Sequence, residues 1–303
     1  MKTASLSKKI IWRLEALAYD GIGLALRPFS FDRISAAGGW ALRVIGPRTS
    51  KHAIIHTGLK IAFPGQSQKE RDALSIRAWD NIGRTFAEFP IMSRVKVFGE
   101  NSRVQIENRE ILDAVIKNGN PVICVAGHFA NWEIIAAVLA QAGLPIHITY
   151  RRMNNPYLDQ RVRAQREAYG TKFLVPKSTH AGARLLLDAL KAGESIAIMN
   201  DQKFNEGISV PFFGEPAMTA TGAARLSLKT GVPLMPASVR RKGAQFIVTL
   251  HPLIQLNSTG EREADIGAGV RQITAFTEAE IKKSPAQWFW VHRRWPKALY
   301  KNK

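Results

Sequence analysis

The sequence predicts an α/β domain in which a mixed, largely parallel sheet is flanked by helices, preceded by a helical N-terminal part. Three observations carry this. Beyond about residue 120, short apolar runs alternate with helix-length stretches, the pattern of strand–helix–strand units. Upstream of that point, apolar residues recur at helical spacing. The 303 residues are 46% hydrophobic, enough for a large core, with no repeat or low-complexity tract.

The elements follow in order. Near the N-terminus, Lys9, Arg13, Asp20 and Arg27 fall on one stripe of a helix, with Ile10, Leu14, Leu17, Ala18 and Leu24 opposite and Trp12 and Tyr19 toward the edge. Arg13, Glu15 and Asp20 interrupt the apolar run, so it falls short of the about 18 residues of a spanning helix. Periodicity leaves two readings open: a helix lying in a membrane interface, or an amphipathic helix packed on the protein. Residues 1–50 are read as this N-terminal amphipathic, membrane-associated segment and 51–303 as the α/β domain. A helix is expected from Gln68 to Phe89, with Leu74, Ala78, Ile82, Phe86 and Phe89 on its apolar face and Pro90 ending it. Strands are expected at Pro121–Ala126, Pro145–Tyr150, Lys172–Val175, Ser195–Asn200, Pro233–Val239 and Gln245–His251. Helices are expected at Trp132–Ala142, Tyr157–Tyr169, Gly182–Ala192, Thr221–Lys229 and Gly267–Lys283.

The formal charge of +19 points to a polyanionic partner: nucleic acid, an anionic membrane face or an acidic carrier protein. Nucleic acid is disfavoured, because the chain has no zinc-finger spacing, no aromatic-glycine RNA-binding signature and no concentrated basic block. The single cysteine, Cys124, permits no disulfide within the chain and no thiolate zinc cluster. It lies in the apolar run 121–126 and reads as core packing.

One stretch carries chemistry: Ala126-Gly-His-Phe-Ala-Asn-Trp-Glu133. A strand ends at Ala126 and a helix begins near Asn131, and α/β proteins collect ligands at the carboxyl ends of their strands. His128 therefore sits where a general base is expected, and Gly127 lets the backbone turn. Glu133, five positions on, is the expected partner of one ring nitrogen, leaving the other for a substrate hydroxyl. The competing reading makes His128 structural and leaves Glu133 to complement the helix dipole.

Further blocks follow in a recognisable order: Tyr150-Arg-Arg-Met-Asn-Asn-Pro156, Arg166 ten residues past that proline, Asn200-Asp-Gln202, Val210-Pro-Phe-Phe-Gly214 with Ala217 and Thr219, and Gln287-Trp-Phe-Trp-Val-His-Arg-Arg294. Together with the His-x4-Glu block, they resemble the late, secondary (lauroyl/myristoyl) acyltransferases of bacterial lipid A biosynthesis. That family lies within the lysophospholipid-acyltransferase-like superfamily.

The resemblance implies a glycerolipid-acyltransferase-like fold and O-acylation of a lipid A precursor of the Kdo2-lipid IVA type. The implied donor is an acyl carrier protein thioester, with no metal or cofactor. The implied partners are an acidic carrier protein and an anionic glycolipid at the cytoplasmic face of a Gram-negative inner membrane. The same block would also serve a lysophospholipid, an ornithine lipid or a phosphatidylinositol mannoside. His128 and Glu133 are the candidate catalytic residues. Arg166, Asp201, Gln202, Asn131, Arg151, Phe212 and Phe213 are candidates for substrate binding. Asp201 and Gln202 could orient His128, Arg166 or the acceptor, or simply cap a helix. Phe212 and Phe213 either line an acyl pocket or pack in the core. Thr219 and Thr221 read as helix caps. Trp288, Trp290, Trp295, His292, Arg293 and Arg294 suit an anionic interface, or else a buried strand with solvated arginines.

Overall fold

A computed structural model describes residues 5–150, 153–168, 173–176 and 180–300. Four helices come first: α1 (Leu6–Ala25), α2 (Phe31–Ile45), α3 (Lys51–Ala62) and α4 (Gln68–Glu88). Their starts are written locally. Ser30 Oγ accepts from the Arg33 N–H, and Ser67 and Glu70 form a reciprocal capping box. Pro90 follows α4, and the chain passes into a short 3₁₀ turn over Phe89–Arg94.

α1 is inverted relative to an ordinary surface helix. Leu14, Leu17 and Leu24 are 60, 61 and 61% exposed, while Ala16 is 1% exposed. On its other side, several polar groups bond α7 (Pro156–Ala168) and Asn155 just before it. Asp20 accepts from Arg161 at 2.6–2.8 Å, and the Tyr19 hydroxyl donates to Gln165 Oε1 at 2.6 Å. Asn155 Nδ2 donates to the Trp12 carbonyl and to Glu15 at 2.8 and 2.7 Å. Among the described residues, no helix is long and apolar enough to cross a membrane.

The sheet has seven strands in the order β1 (Val104–Glu107), β9 (Gln245–Leu250), β8 (Leu234–Lys242), β2 (Ile123–Ala126), β5 (Ser195–Met199), β3 (Ile146–Tyr150) and β4 (Phe173–Pro176). Every neighbouring pair is parallel except β8–β9. A separate antiparallel hairpin joins β6 (Lys203–Phe212) to β7 (Glu215–Thr219). The remaining helices are α5 (Arg109–Asn118), α6 (Glu133–Gln141), α8 (His180–Lys191), α9 (Gly222–Thr230) and α10 (Arg262–Lys283). All four residues of β2 are buried, as befits a parallel strand covered on both faces. Cys124 and Ala126 join the core on one face, with α4, α6 and Phe31 and Ile34 of α2. Ile123 and Val125 join a second core, under α8, α9 and α10. Burial pushes the Cys124 thiol up to about 12, so it is an inert packing group.

The expected strands and helices beyond 120 are present, with ends shifted by a few residues, while the expected ends at Tyr169 and Lys172 lie outside the described residues. Two features differ from the sequence reading. Residues 1 to about 110, read as mainly helical, also contain β1, paired in parallel with β9. The Val-Pro-Phe-Phe-Gly block is the tip of the β6–β7 hairpin. Phe213 and Gly214 turn it with φ of 52° and 80°, the left-handed pair that matches strand twist in a tight hairpin.

Candidate active site

β2 and β5 are neighbours, so their carboxyl ends deliver His128 and Asp201 to one place. His128 Nδ1 lies 2.7 Å from Asp201 Oδ1. Asp201 Oδ2 accepts from the His128 backbone N–H at 2.7 Å and from the Trp288 indole at 2.8 Å. Asp201 is 2% exposed. Burial alone would raise its pKa. The charge of His128, with the hydrogen bonds from His128 and Trp288, outweighs this and holds the carboxyl well below the usual carboxylate range. An ionised carboxylate only accepts, so Nδ1 donates to it and Nε2 is the ring nitrogen left to meet a substrate. The His128 ring retains some exposure, and no hydrogen bond reaches Nε2 among the described residues. Trp132 stands edge-on at 4.9 Å and Phe289 at 6.2 Å between ring centroids, walling the ring with apolar surface.

The loop between β2 and α6 is held from every side. A Cβ on Gly127 would lie 2.5 Å from the Phe129 ring, so this glycine answers to close contact rather than to an unusual turn. The His128 carbonyl accepts from Phe289 N at 3.0 Å, and Ala130 N donates to the Gln287 carbonyl at 2.7 Å. Ala130, with φ of 43°, occupies a left-handed conformation that costs a residue with a Cβ roughly 1–2 kcal/mol.

Glu133 is not the carboxylate on His128 Nδ1. At the start of α6 it meets Arg166 in a bidentate pair, Nε–Oε2 2.9 Å and Nη2–Oε1 2.6 Å. One helical turn points it at α7, whereas Asp201 already lies beside the imidazole at the end of the adjacent strand. Asn131 is buried and donates to Glu88 at 2.9 Å. Gln202 is partly exposed and makes no side-chain hydrogen bond among the described residues. Phe212 is a core residue between Trp288, Trp295 and the Arg294 guanidinium. Phe213 packs on Phe63 and under Lys282. Neither ring touches His128 among the described residues. Arg151 lies outside the described residues.

Most of the closing aromatic–basic block is interior rather than interfacial, with Arg293 exposed and His292 half-buried. Trp288, Trp290, Trp295 and Arg294 are all fully buried. Arg294 donates to Thr219 Oγ1 at 2.5 Å and to the Met218 carbonyl at 2.9 Å, so it fastens the hairpin instead of being solvated. Thr219 therefore serves Arg294, and Thr221 makes no side-chain cap. The sequence reading quoted Trp132 and Phe289 inside motifs without giving them work, and gave Trp288 to an anionic interface or a buried strand rather than to Asp201. The proximity of Trp288 and Phe289 to His128 and Asp201 depends on long-range pairing that local pattern does not encode, whereas Trp132 is a local neighbour four residues on from His128.

The family described as bacterial lipid A biosynthesis acyltransferase matches this chain over residues 5–297. The chain belongs to that family. Among its relatives, the lipid A biosynthesis palmitoleoyltransferase of Escherichia coli (strain K12) is 26% identical over 255 residues, 80% of this chain and 78% of that protein. The lipid A biosynthesis lauroyltransferase of the same strain is 25% identical over 296 residues, 94% of this chain and 88% of that protein. The phosphatidylinositol mannoside acyltransferase of Mycobacterium tuberculosis (strain CDC 1551 / Oshkosh) is 24% identical over 229 residues, covering 74% and 71%. The protein is thus an acyltransferase acting on a lipid acceptor.

Proposed function

We propose that this acyltransferase moves a fatty acyl group from an acyl carrier protein thioester to a hydroxyl of a Kdo2-lipid IVA-type precursor, with His128 as general base and Asp201 as its orienting carboxylate. The observation that carries the mechanism is the 2.7 Å contact between His128 Nδ1 and Asp201, which leaves Nε2 as the acceptor. The acceptor oxygen attacks the thioester carbon as its proton passes to Nε2. The tetrahedral oxyanion collapses, the carbon–sulfur bond breaks, and the imidazolium returns the proton to the departing thiolate. The step as written consumes neither metal nor nucleotide. The Glu133–Arg166 pair keeps the first turn of α6, and with it Trp132, against the base. Gln202, partly exposed and next to Asp201 in the chain, serves the acceptor side, whereas the buried Asn131 is committed to Glu88.

The inverted α1 supports work at a bilayer. Its leucines face outward while Arg13, Glu15, Tyr19 and Asp20 bond α7 and the adjoining Asn155, the arrangement of a helix seated in a lipid interface. With the +19 charge, this favours the anionic cytoplasmic face of the inner membrane and an acidic carrier protein. The similarity to a mannoside acyltransferase favours a second acceptor, a phosphatidylinositol mannoside-type glycolipid, served by the same base.

The test is transfer of radiolabelled acyl groups from a panel of carrier-protein thioesters to Kdo2-lipid IVA. Wild-type protein is expected to form product, and His128→Ala to lose about 10²–10⁴-fold in turnover. Product on a mannoside glycolipid alone would select the second acceptor. Near-native turnover in His128→Ala would remove the base from the mechanism.

A further inference from the structure

Behind the His128 loop lies a buried polar assembly that the reaction itself does not use. Glu88, the last residue of α4, is 0% exposed, and Arg241 of β8 holds it in a bidentate pair at 2.5 and 2.9 Å. Glu88 also accepts from Ser35 at 2.6 Å and from Asn131 at 2.9 Å. Arg241 also donates to Asn81 Oδ1 at 2.9 Å and Thr85 Oγ1 at 3.1 Å. Thr85 shares its one proton between the Asn81 carbonyl at 2.9 Å and the Ala130 carbonyl at 2.8 Å. Asn81 Nδ2 donates at 3.1 Å to the Gln287 carbonyl, the group that also receives Ala130 N. Gln287 closes the circuit through its own side chain, which bonds the Arg241 backbone at 2.7 and 3.0 Å.

Both backbone polar groups of Ala130 are therefore tied to this assembly, directly through Thr85 and through Gln287. Ala130 is the strained residue, and it stands two positions from the base. A non-glycine residue keeps a positive φ only where its surroundings over-determine it. A buried ion pair adds little net stability over an apolar pair of the same shape, so one retained against this loop calls for another role.

We infer that Glu88, Arg241 and Thr85 are positioning residues, which clamp Ala130 in its left-handed conformation and so hold His128 on Asp201. The inference rests on the reading of His128 as the base. Displacing a catalytic group by about 1 Å costs about 100-fold in rate.

Arg241→Met strands a buried carboxylate and endangers folding, so the informative variant is Thr85→Val, which keeps the ion pair and the shape. Thr85→Val is expected to lower kcat at least about 10-fold with KM little changed, and without loss of folded protein. Adding Ala130→Gly should return much of that loss, since glycine adopts positive φ without steric cost. The imidazole ¹⁵N shifts of His128 give a readout free of turnover. They should change in Thr85→Val and recover in the double variant. Unchanged kcat and unchanged shifts in Thr85→Val would overturn the inference. So would a loss of kcat that merely follows the fraction unfolded and is not rescued by Ala130→Gly. Absence of transfer by the wild type to either glycolipid would instead defeat the functional reading. In that case the ¹⁵N shifts still decide whether the clamp acts on His128.

Discussion

Asp201 accepts three hydrogen bonds on two oxygens, one from each of the groups that fix the base: the imidazole, the His128 backbone and the Trp288 indole. Two consequences follow for Asp201→Asn. Turnover is expected to fall by about 10²–10⁴-fold in the thioester assay, because the ring loses the partner that sets its tautomer. The acid limb of stability should also change. The folded Asp201 pKa lies below its ordinary value of 3.8, so its contribution is present above that pH and is lost as pH falls toward the folded value. Urea midpoints measured from pH 3 to 7 should therefore decline less steeply below about pH 4 in Asp201→Asn than in wild type. At this scale the sequence reading was half sufficient. His128 was legible because its strand and the following helix are contiguous in the chain. Its carboxylate, Asp201, was legible only as a residue that could orient His128, Arg166 or the acceptor; it lies 73 residues away and becomes a neighbour through the β2–β5 pairing, which no local pattern states. Glu133 was the nearer acid in sequence but not in space.

The Glu133–Arg166 pair joins two elements, α6 and α7, rather than tuning one residue. Glu133→Gln would replace the carboxylate that the largely buried Arg166 guanidinium grips with a neutral amide. The expected loss is about 3 kcal/mol in urea unfolding, the lower end for a broken buried pair, since the Arg166 side chain keeps 18% exposure. A loss under about 0.5 kcal/mol would class the pair with inert surface bridges. Elements with a strong apolar period, such as α4 and the buried strands, were legible in the sequence. The β6–β7 hairpin was not, because Pro211 and Pro216 argue against a strand. As a two-stranded ribbon outside the main sheet, it needs fewer backbone donors. For α1 the period was legible and its orientation was not, since a helical wheel does not say which side meets the protein.

For the molecule as a whole, the outward leucines of α1 and the +19 charge predict binding to vesicles containing anionic lipid. Each leucine is worth about 1.5–3 kcal/mol on transfer from water, so Leu14→Glu/Leu17→Glu is expected to lower partitioning at least about 10-fold. Co-sedimentation measures it, and the melting temperature should stay unchanged because neither side chain packs on the fold. Raised salt should weaken the binding of both proteins. Equal binding of variant and wild type would assign the membrane contact to another surface.

The strapping of α7 to α1 bears on how the protein can be trimmed. Deleting the first helix is an obvious way to improve solubility. It would also remove Asp20, Glu15, Tyr19 and the Trp12 carbonyl, the groups on α1 that Arg161, Asn155 and Gln165 bond. α7 would lose its outer anchorage, yet it is the element that carries Arg166 to Glu133 beside the base. Solubility gained at the N-terminus would thus be traded against order at the opposite face of α7, and a shortened protein with low activity would be reporting a loosened wall rather than a missing membrane.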